Sequence, residues 1–105
     1  MTISNKYIEV ILPIPVEGSF TYSLRKEDQA VCVGQRVIVQ FGVRKLYTAI
    51  VVEVHNRRHE GYNIKEILGV LDEDNVISPL QIDFWRWISS YYMCKIGEVM
   101  DVALP

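Results

Sequence analysis

The chain has 105 residues, half of them hydrophobic, with 11 Lys and Arg against 13 Asp and Glu for a formal charge of −2. That length holds one domain with its own core, and the composition excludes general disorder. No apolar run approaches the ~20 residues of a membrane-spanning helix, and Met1 to Lys6 lacks the basic-then-apolar order of a secretory signal.

The first strand is expected from Lys6 to Leu12, where Ile8, Val10 and Leu12 alternate with Tyr7, Glu9 and Ile11. Pro13 and Pro15 remove backbone donors and end it. Glu17-Gly18-Ser19 reads as a turn, Phe20 to Leu24 as a second strand, and Arg25 to Ala30 as a polar loop. Gly34 opens a third strand, in which Val37, Val39 and Phe41 alternate with Arg36, Ile38 and Gln40. Gly42-Val43-Arg44-Lys45 turns the chain into a long strand from Leu46 to Val54, apolar on both faces at Ala49-Ile50-Val51-Val52 and therefore central. After a charged loop from Asn56 to Asn63, a fifth strand runs from Lys65 to Leu71 and ends at Asp72-Glu73-Asp74-Asn75. About five or six short strands with tight turns predict a small OB-like barrel, mainly β.

The period then changes. Ser78 as N-cap, Pro79 at the first helical position and Gln81 closing a capping box start a helix. Its stripe of Leu80, Phe84, Trp87, Ile88 and Tyr91 is expected to pack on the barrel, with Trp85 nearer the opposite, exposed side. Gly97 is expected to interrupt, with a short helical turn from Glu98 to Ala103. The domain thus divides into a barrel part (1–76) and a C-terminal helical part (77–105), α+β overall, and the stop at Pro105 without a polar tail suggests a fragment of something longer.

The charge is uneven along this plan. Through Lys65 there are nine Lys and Arg against six Asp and Glu, a balance of +3; from Glu66 onward two face seven, a balance of −5. A basic β half can present a local positive face, with few phosphate contacts and salt-sensitive binding.

Catalytic chemistry has no carrier here. Phosphate-cradling Gly-rich motifs are missing from the sequence. Asp72, Glu73 and Asp74 read as a solvated turn, with nothing to desolvate one of them into an acid. His55 and His59 share a spacing that suits a metal only on a helix, and Arg57 and Arg58 between them would repel one. Cys32 and Cys94 have neither Cys-x-x-Cys spacing nor a nearby His, so reduced, semi-buried thiols of a cytoplasmic protein are expected rather than a zinc site or disulfide. No cofactor and no metal are expected.

Phe20 and Phe41 remain, each able to serve as plain core. Each is followed by a residue suited to close approach, Thr21 with a hydroxyl and Gly42 with bare backbone. An aromatic and glycine pocket on a barrel rim suits one unpaired base, and stacking on a ring contributes ~1–3 kcal/mol whatever the base. A protein-interaction barrel, with Trp85 and the basic turn as its contacts, and a general RNA-binding barrel are the rival readings.

Taken together these segments resemble the N-terminal domain of PriA, the primosomal replication-restart DNA helicase family. Leu12-Pro13-Ile14-Pro15 with Phe20-Thr21-Tyr22 is similar to that family's Leu-Pro-x-Pro and Phe-Asp-Tyr, and Gly34-Gln35-Arg36-Val37 with Phe41-Gly42 to its Gly-x-Arg-Val and Pro-Phe-Gly. Ile50-Val51-Val52 and Lys65 to Asp72 resemble its Gly-Ile-Val-Val and Leu-Lys-x-Val-x-x-Val-Leu-Asp. Tyr91-Tyr92 with Gly97-Glu98-Val99, and Ala103-Leu104-Pro105, resemble its Tyr-Tyr-x-x-x-x-Gly-Glu-Val and Ala-Leu-Pro. Each piece alone is weak, but six in order at the family's spacing are specific.

The resemblance implies a single DNA 3′-end-binding domain that captures the nascent leading strand at a stalled fork, without regard to sequence. Its pocket falls on Phe20, Thr21, Gly42 and Lys65, with Arg44 and Lys45 as candidate phosphate contacts. It further implies an ATP-dependent 3′-to-5′ helicase as the full-length protein, using ATP with magnesium and zinc outside this fragment. DNA, the rest of that chain, primosome proteins and single-stranded-DNA-binding protein would be its partners in the bacterial cytoplasm, with no membrane. One position departs: where the family commonly has Asp to accept the terminal 3′-hydroxyl, this chain has Thr21. Replacing a charged acceptor by a neutral one lowers a hydrogen bond from ~1.5–3 to ~0.5–1.5 kcal/mol, so weaker end discrimination is expected.

Overall fold

Period-two alternation builds the wall of the structure. The computed structural model describes residues 6–16, 18–57, 64–71 and 77–103. Its strands are β1 (Tyr7–Ile11), β2 (Phe20–Ser23), β3 (Arg36–Gln40), β4 (Leu46–His55) and β5 (Gly69–Val70), followed by helices α1 (Pro79–Tyr92) and α2 (Ile96–Ala103). The sheet order is β2-β1-β4-β3-β5, so the doubly apolar β4 lies in the middle, as its sequence predicts. All neighbouring pairs are antiparallel, and β1 shifts register against β4 between Glu9 and Val10.

The sheet closes on itself through Ser23. Its amide donates to the Lys65 carbonyl at 2.9 Å, and its carbonyl accepts from the Ile67 amide at 3.0 Å. The segment that runs beside β3 as β5 therefore also reaches β2, which makes the small OB-like barrel. The expected fifth strand is shorter than Lys65 to Leu71, because most of that segment makes isolated bonds to two different strands. The expected loop from Arg25 to Ala30 contains a 3-10 turn, Lys26–Asp28, pinned by the Arg25 guanidinium on Asp28.

Two cores result from the alternation. Ile8, Val10, Leu12, Tyr22, Val37, Val39, Ala49 and Val51 fill the barrel. Ile11 and Ile50, on the outer face of the same strands, pack with Ile77, Ile82, Trp85 and Met100 from the helical part. Burying side chains of this size contributes roughly 1.5–3 kcal/mol each, which is what fixes the helices to the barrel.

Helix α1 starts as predicted. The Gln81 amide donates to Ser78 Oγ at 3.2 Å and the Ser78 amide to Gln81 Oε1 at 3.0 Å, a complete capping box with Pro79 behind it. Its buried face is the reverse of the expected one. Trp85 is 5% exposed and Ile82 buried, whereas Trp87 is 58% exposed and Leu80, Phe84 and Tyr91 are exposed with it. At roughly 100° per residue, Ile82, Trp85 and Ser89 share one side and the aromatic stripe the other. Ile88 lies half-buried between them. An apolar stripe marks a face but not the surface that covers it, and the barrel wall takes the smaller face.

Gly97 does not interrupt the helical part. It lies buried in the first turn of α2, with its α-carbon against the backbone of Leu12 and Ile14. Met93 turns the chain between the helices in the left-handed region at φ 56°. Cys94 is half-buried and Cys32 exposed, not semi-buried as expected, because Cys32 sits in the loop ahead of β3; both are free thiols. Glu17, the 58–63 part of the charged loop with His59, and the acidic turn at 72–75 lie outside the described residues.

Candidate nucleic-acid interface

Strand β2 carries two of the predicted site residues, Phe20 and Thr21. Phe20, its first residue, is half-buried and meets Phe41 edge-to-face with ring centroids 4.8 Å apart. Both rings pack against the barrel core, so neither is a free-standing platform. Phe41 in turn meets the edge of Tyr47 at 6.4 Å.

Directly after Phe41 the hairpin between β3 and β4 turns. The Phe41 amide donates to the Lys45 carbonyl at 2.9 Å, closing the loop. Gly42 takes φ +73° and Arg44 φ 60°, both in the left-handed region that favours glycine. A side chain added at Gly42 would meet nothing within 4 Å, so open space stands over exposed backbone beside the Phe20–Phe41 pair. Arg44 and Lys45 are exposed on the same turn. The Tyr22 hydroxyl donates to the Gln40 carbonyl at 2.8 Å and ties β2 to the foot of this hairpin.

At its other end β2 meets Lys65, which is exposed and held by its carbonyl to Ser23. The barrel closure thus seats Lys65 two residues along the strand from Thr21. Phe20 and Thr21 lie in β2, Lys65 bonds to its last residue, and Gly42 follows Phe41, whose ring meets Phe20; Phe20 turns toward the core and Thr21 toward the outer face, so the four do not share one face.

Thr21 sits opposite Glu9 in the β1–β2 register, in a polar cluster on that outer face. Its hydroxyl donates to Glu9 Oε2 at 2.6 Å, and the Ser19 hydroxyl reaches Glu9 Oε1 at 3.4 Å. His55 Nε2 lies 2.8 Å from the same Oε2. The Arg57 amide donates to His55 Nδ1 at 3.1 Å, so Nδ1 is the acceptor and the proton sits on Nε2, facing the carboxylate. Sequence reasoning missed Glu9 and His55 in this role. The available signal was a carboxylate breaking an apolar strand, but only the strand register shows that it faces Thr21.

Beyond Ser19 a cleft of about 420 Å³ opens between the β1–β2 connection and α1, where Gly18 and Ser19 face Arg86, Ser89 and Ser90. Its guanidinium and hydroxyls suit an anionic group. On the far side of α1, Phe84, Trp87 and Tyr91 form a ladder with centroids 6.2 Å and 5.3 Å apart and planes within 20°. Among the described residues no three His, Cys, Asp or Glu side chains come together to hold a metal ion, and no helix is long and apolar enough to cross a membrane.

Comparison with known proteins adds a family. A model described as the 3′DNA-binding domain (3′BD) matches residues 9–105. The chain is 32% identical over 101 residues to the replication restart protein PriA of Haemophilus influenzae, covering 95% of this chain and 14% of that protein. It is 26% identical over 104 residues to the PriA of Treponema pallidum, covering 94% and 16%. The PriA of Buchnera aphidicola from Acyrthosiphon pisum is 29% identical over 98 residues, covering 93% and 13%. The chain therefore spans less than a fifth of the length of these relatives.

Proposed function

The chain belongs to the 3′DNA-binding domain (3′BD) family, and on that premise we propose that it captures the free 3′ end of a DNA strand without reading its sequence. The observation that carries this reading is the meeting of Phe20 with the Phe41–Gly42 turn at one end of β2 and Lys65 at the other. The Phe20 ring bounds the terminal base, open backbone at Gly42 admits the sugar, and Lys65 attracts the phosphodiester. Contacts to ring face, sugar and phosphate carry no base identity. Arg44 and Lys45 supply further phosphate contacts, and Arg86 in the neighbouring cleft does so for the strand leading away.

In a longer chain of PriA type the domain holds the nascent leading-strand end at a stalled fork and so orients the helicase. ATP with magnesium, zinc, primosome proteins and single-stranded-DNA-binding protein belong to that larger assembly. The exposed ladder of Phe84, Trp87 and Tyr91 favours a second, compatible role. The helical part carries net negative charge, so this face suits an apolar protein surface better than a phosphate backbone.

The experiment compares a linear oligonucleotide with the same strand circularised, in fluorescence competition. Capture of an end predicts loss of binding on circularisation; equal affinity for both forms removes the reading. Phe20→Leu should weaken the linear strand by a similar factor for all four terminal bases.

A further inference from the structure

The outer face of β1 and β2 carries a carboxylate where the neighbouring strand position lacks one. Glu9 takes hydrogen bonds from three donors, Thr21 Oγ1 at 2.6 Å, His55 Nε2 at 2.8 Å and Ser19 Oγ at 3.4 Å. Its side chain is only 17% exposed and that of His55 7%, so the network is held by packing and not by chance surface rotamers.

A threonine hydroxyl has one hydrogen and two lone pairs. With that hydrogen committed to Glu9, Thr21 Oγ1 has only lone pairs left to offer. The free capacity of Glu9 is likewise acceptor-only. The proton on His55 Nε2 is spent on the same carboxylate, since Nδ1 is occupied by the Arg57 amide. Thr21 alone would be indifferent, free to donate to one ligand atom or accept from another. Paired with Glu9 it is an acceptor of fixed direction.

We infer that Glu9 is a positioning and specificity residue for the end-capture site: it turns Thr21 into an obligate hydrogen-bond acceptor, so that the pair reads the terminal 3′-hydroxyl as a donor and rejects an anionic end. This inference rests on the end-capture reading and names what that site selects. The 3′-hydroxyl donates to Thr21 Oγ1. A 3′-hydrogen offers no donor, and a 3′-phosphate brings like charge and acceptors against acceptors, which costs free energy at a partly buried site.

The test is equilibrium anisotropy of the 105-residue chain with matched strands ending in 3′-hydroxyl, 3′-amino, 3′-hydrogen and 3′-phosphate, beside the circular strand. The expected order of affinity is amino and hydroxyl above hydrogen, with phosphate weakest, the hydroxyl-to-hydrogen ratio being about 3- to 10-fold. Glu9→Gln, whose amide can donate to Thr21, should bring that ratio toward one and relieve the penalty on phosphate. Thr21→Val, of the same shape without the acceptor, should also abolish the ratio, and it decides the matter where Glu9→Gln fails to fold.

A hydroxyl-to-hydrogen ratio that survives Thr21→Val, or a loss equal for every end in both variants, overturns the inference and leaves end capture standing. A wild-type ratio of one with circular DNA still excluded does the same. Equal binding of linear and circular strands removes the end-capture reading itself.

Discussion

Gly97 in α2 stands so close to the carbonyl oxygen of Leu12 that a single methyl group would not fit between them. The Ile14 carbonyl closes the same space, and both partners are backbone. Two distant motifs, the Leu-Pro-Ile-Pro segment after β1 and the Gly-Glu-Val segment of α2, are thereby one contact. It is also the contact that seats α2 beside the β1–β2 connection from which Phe20 emerges.

Gly97→Ala should therefore destabilise the chain by about 1–3 kcal/mol or more, the range for forcing extra volume into a packed site. Gly69→Ala is the control, because a methyl group there meets nothing within 4 Å. Urea denaturation followed by circular dichroism should show a lowered midpoint for Gly97→Ala and little change for Gly69→Ala. Equal midpoints would mean that α2 lifts away from Leu12 without cost.

The two tryptophans make an opposed pair. Trp85 fills the space between the barrel wall and the helices, where truncation costs about 3–5 kcal/mol. Trp87 lies in the exposed ladder with Phe84 and Tyr91, where a surface change stays near ±0.5 kcal/mol. Trp85→Ala should unfold or severely weaken the chain, and Trp87→Ala should leave its melting unchanged. Iodide should quench the fluorescence of wild type by way of Trp87 and barely touch Trp87→Ala. A strongly quenched Trp87→Ala would put Trp85 in solvent.

That inversion marks where sequence stops informing structure. The barrel strands are legible because a period of two with buried Ile8, Val10, Val37 and Val39 is a local property. The capping box is legible for the same reason, since Ser78 and Gln81 satisfy each other within one turn. The buried face of α1 is not local: its two sides are both apolar, and the choice belongs to Ile11 and Ile50 on strands far away in sequence. Glu9 facing Thr21 likewise depends on cross-strand register, and Lys65 beside β2 on the closure through Ser23. Phe20 and Gly42 read from the sequence as an aromatic and a turn; their adjacency through Phe41 needed the fold.

Tyr22 links the barrel core to the hairpin at the proposed site. Its hydroxyl donates to the Gln40 carbonyl at 2.8 Å, and burial raises its pKa above the ordinary value of 10.0. The folded state thus favours the neutral phenol more than the unfolded state does. The stability this represents is complete below about pH 10 and is lost as pH rises from there toward the higher folded value. Tyr22→Phe should cost about 1 kcal/mol at neutral pH, by removing the donor to Gln40. It should also flatten the decline in urea midpoint as pH rises above about 10. A decline as steep in Tyr22→Phe as in wild type would assign alkaline unfolding to other groups.

Arg44 and Lys45 carry the one prediction that separates phosphate contact from bystander charge. Both are exposed on the Gly42 turn, and Arg44 holds a positive φ of 60°. Arg44→Asn removes the charge with a residue that tolerates that backbone region, and Lys45→Gln removes the other without altering the turn. Each phosphate contact on a single strand adds about 0.7 to the slope of log affinity against log salt. The double variant should therefore lower that slope by about 1.5 and weaken all sequences alike, while its melting stays near wild type. A lower affinity with an unchanged slope would mean that the turn shapes the site without touching phosphate. An unchanged affinity and slope would leave both side chains in solvent and shift the phosphate path to Lys65 and the Arg86 cleft.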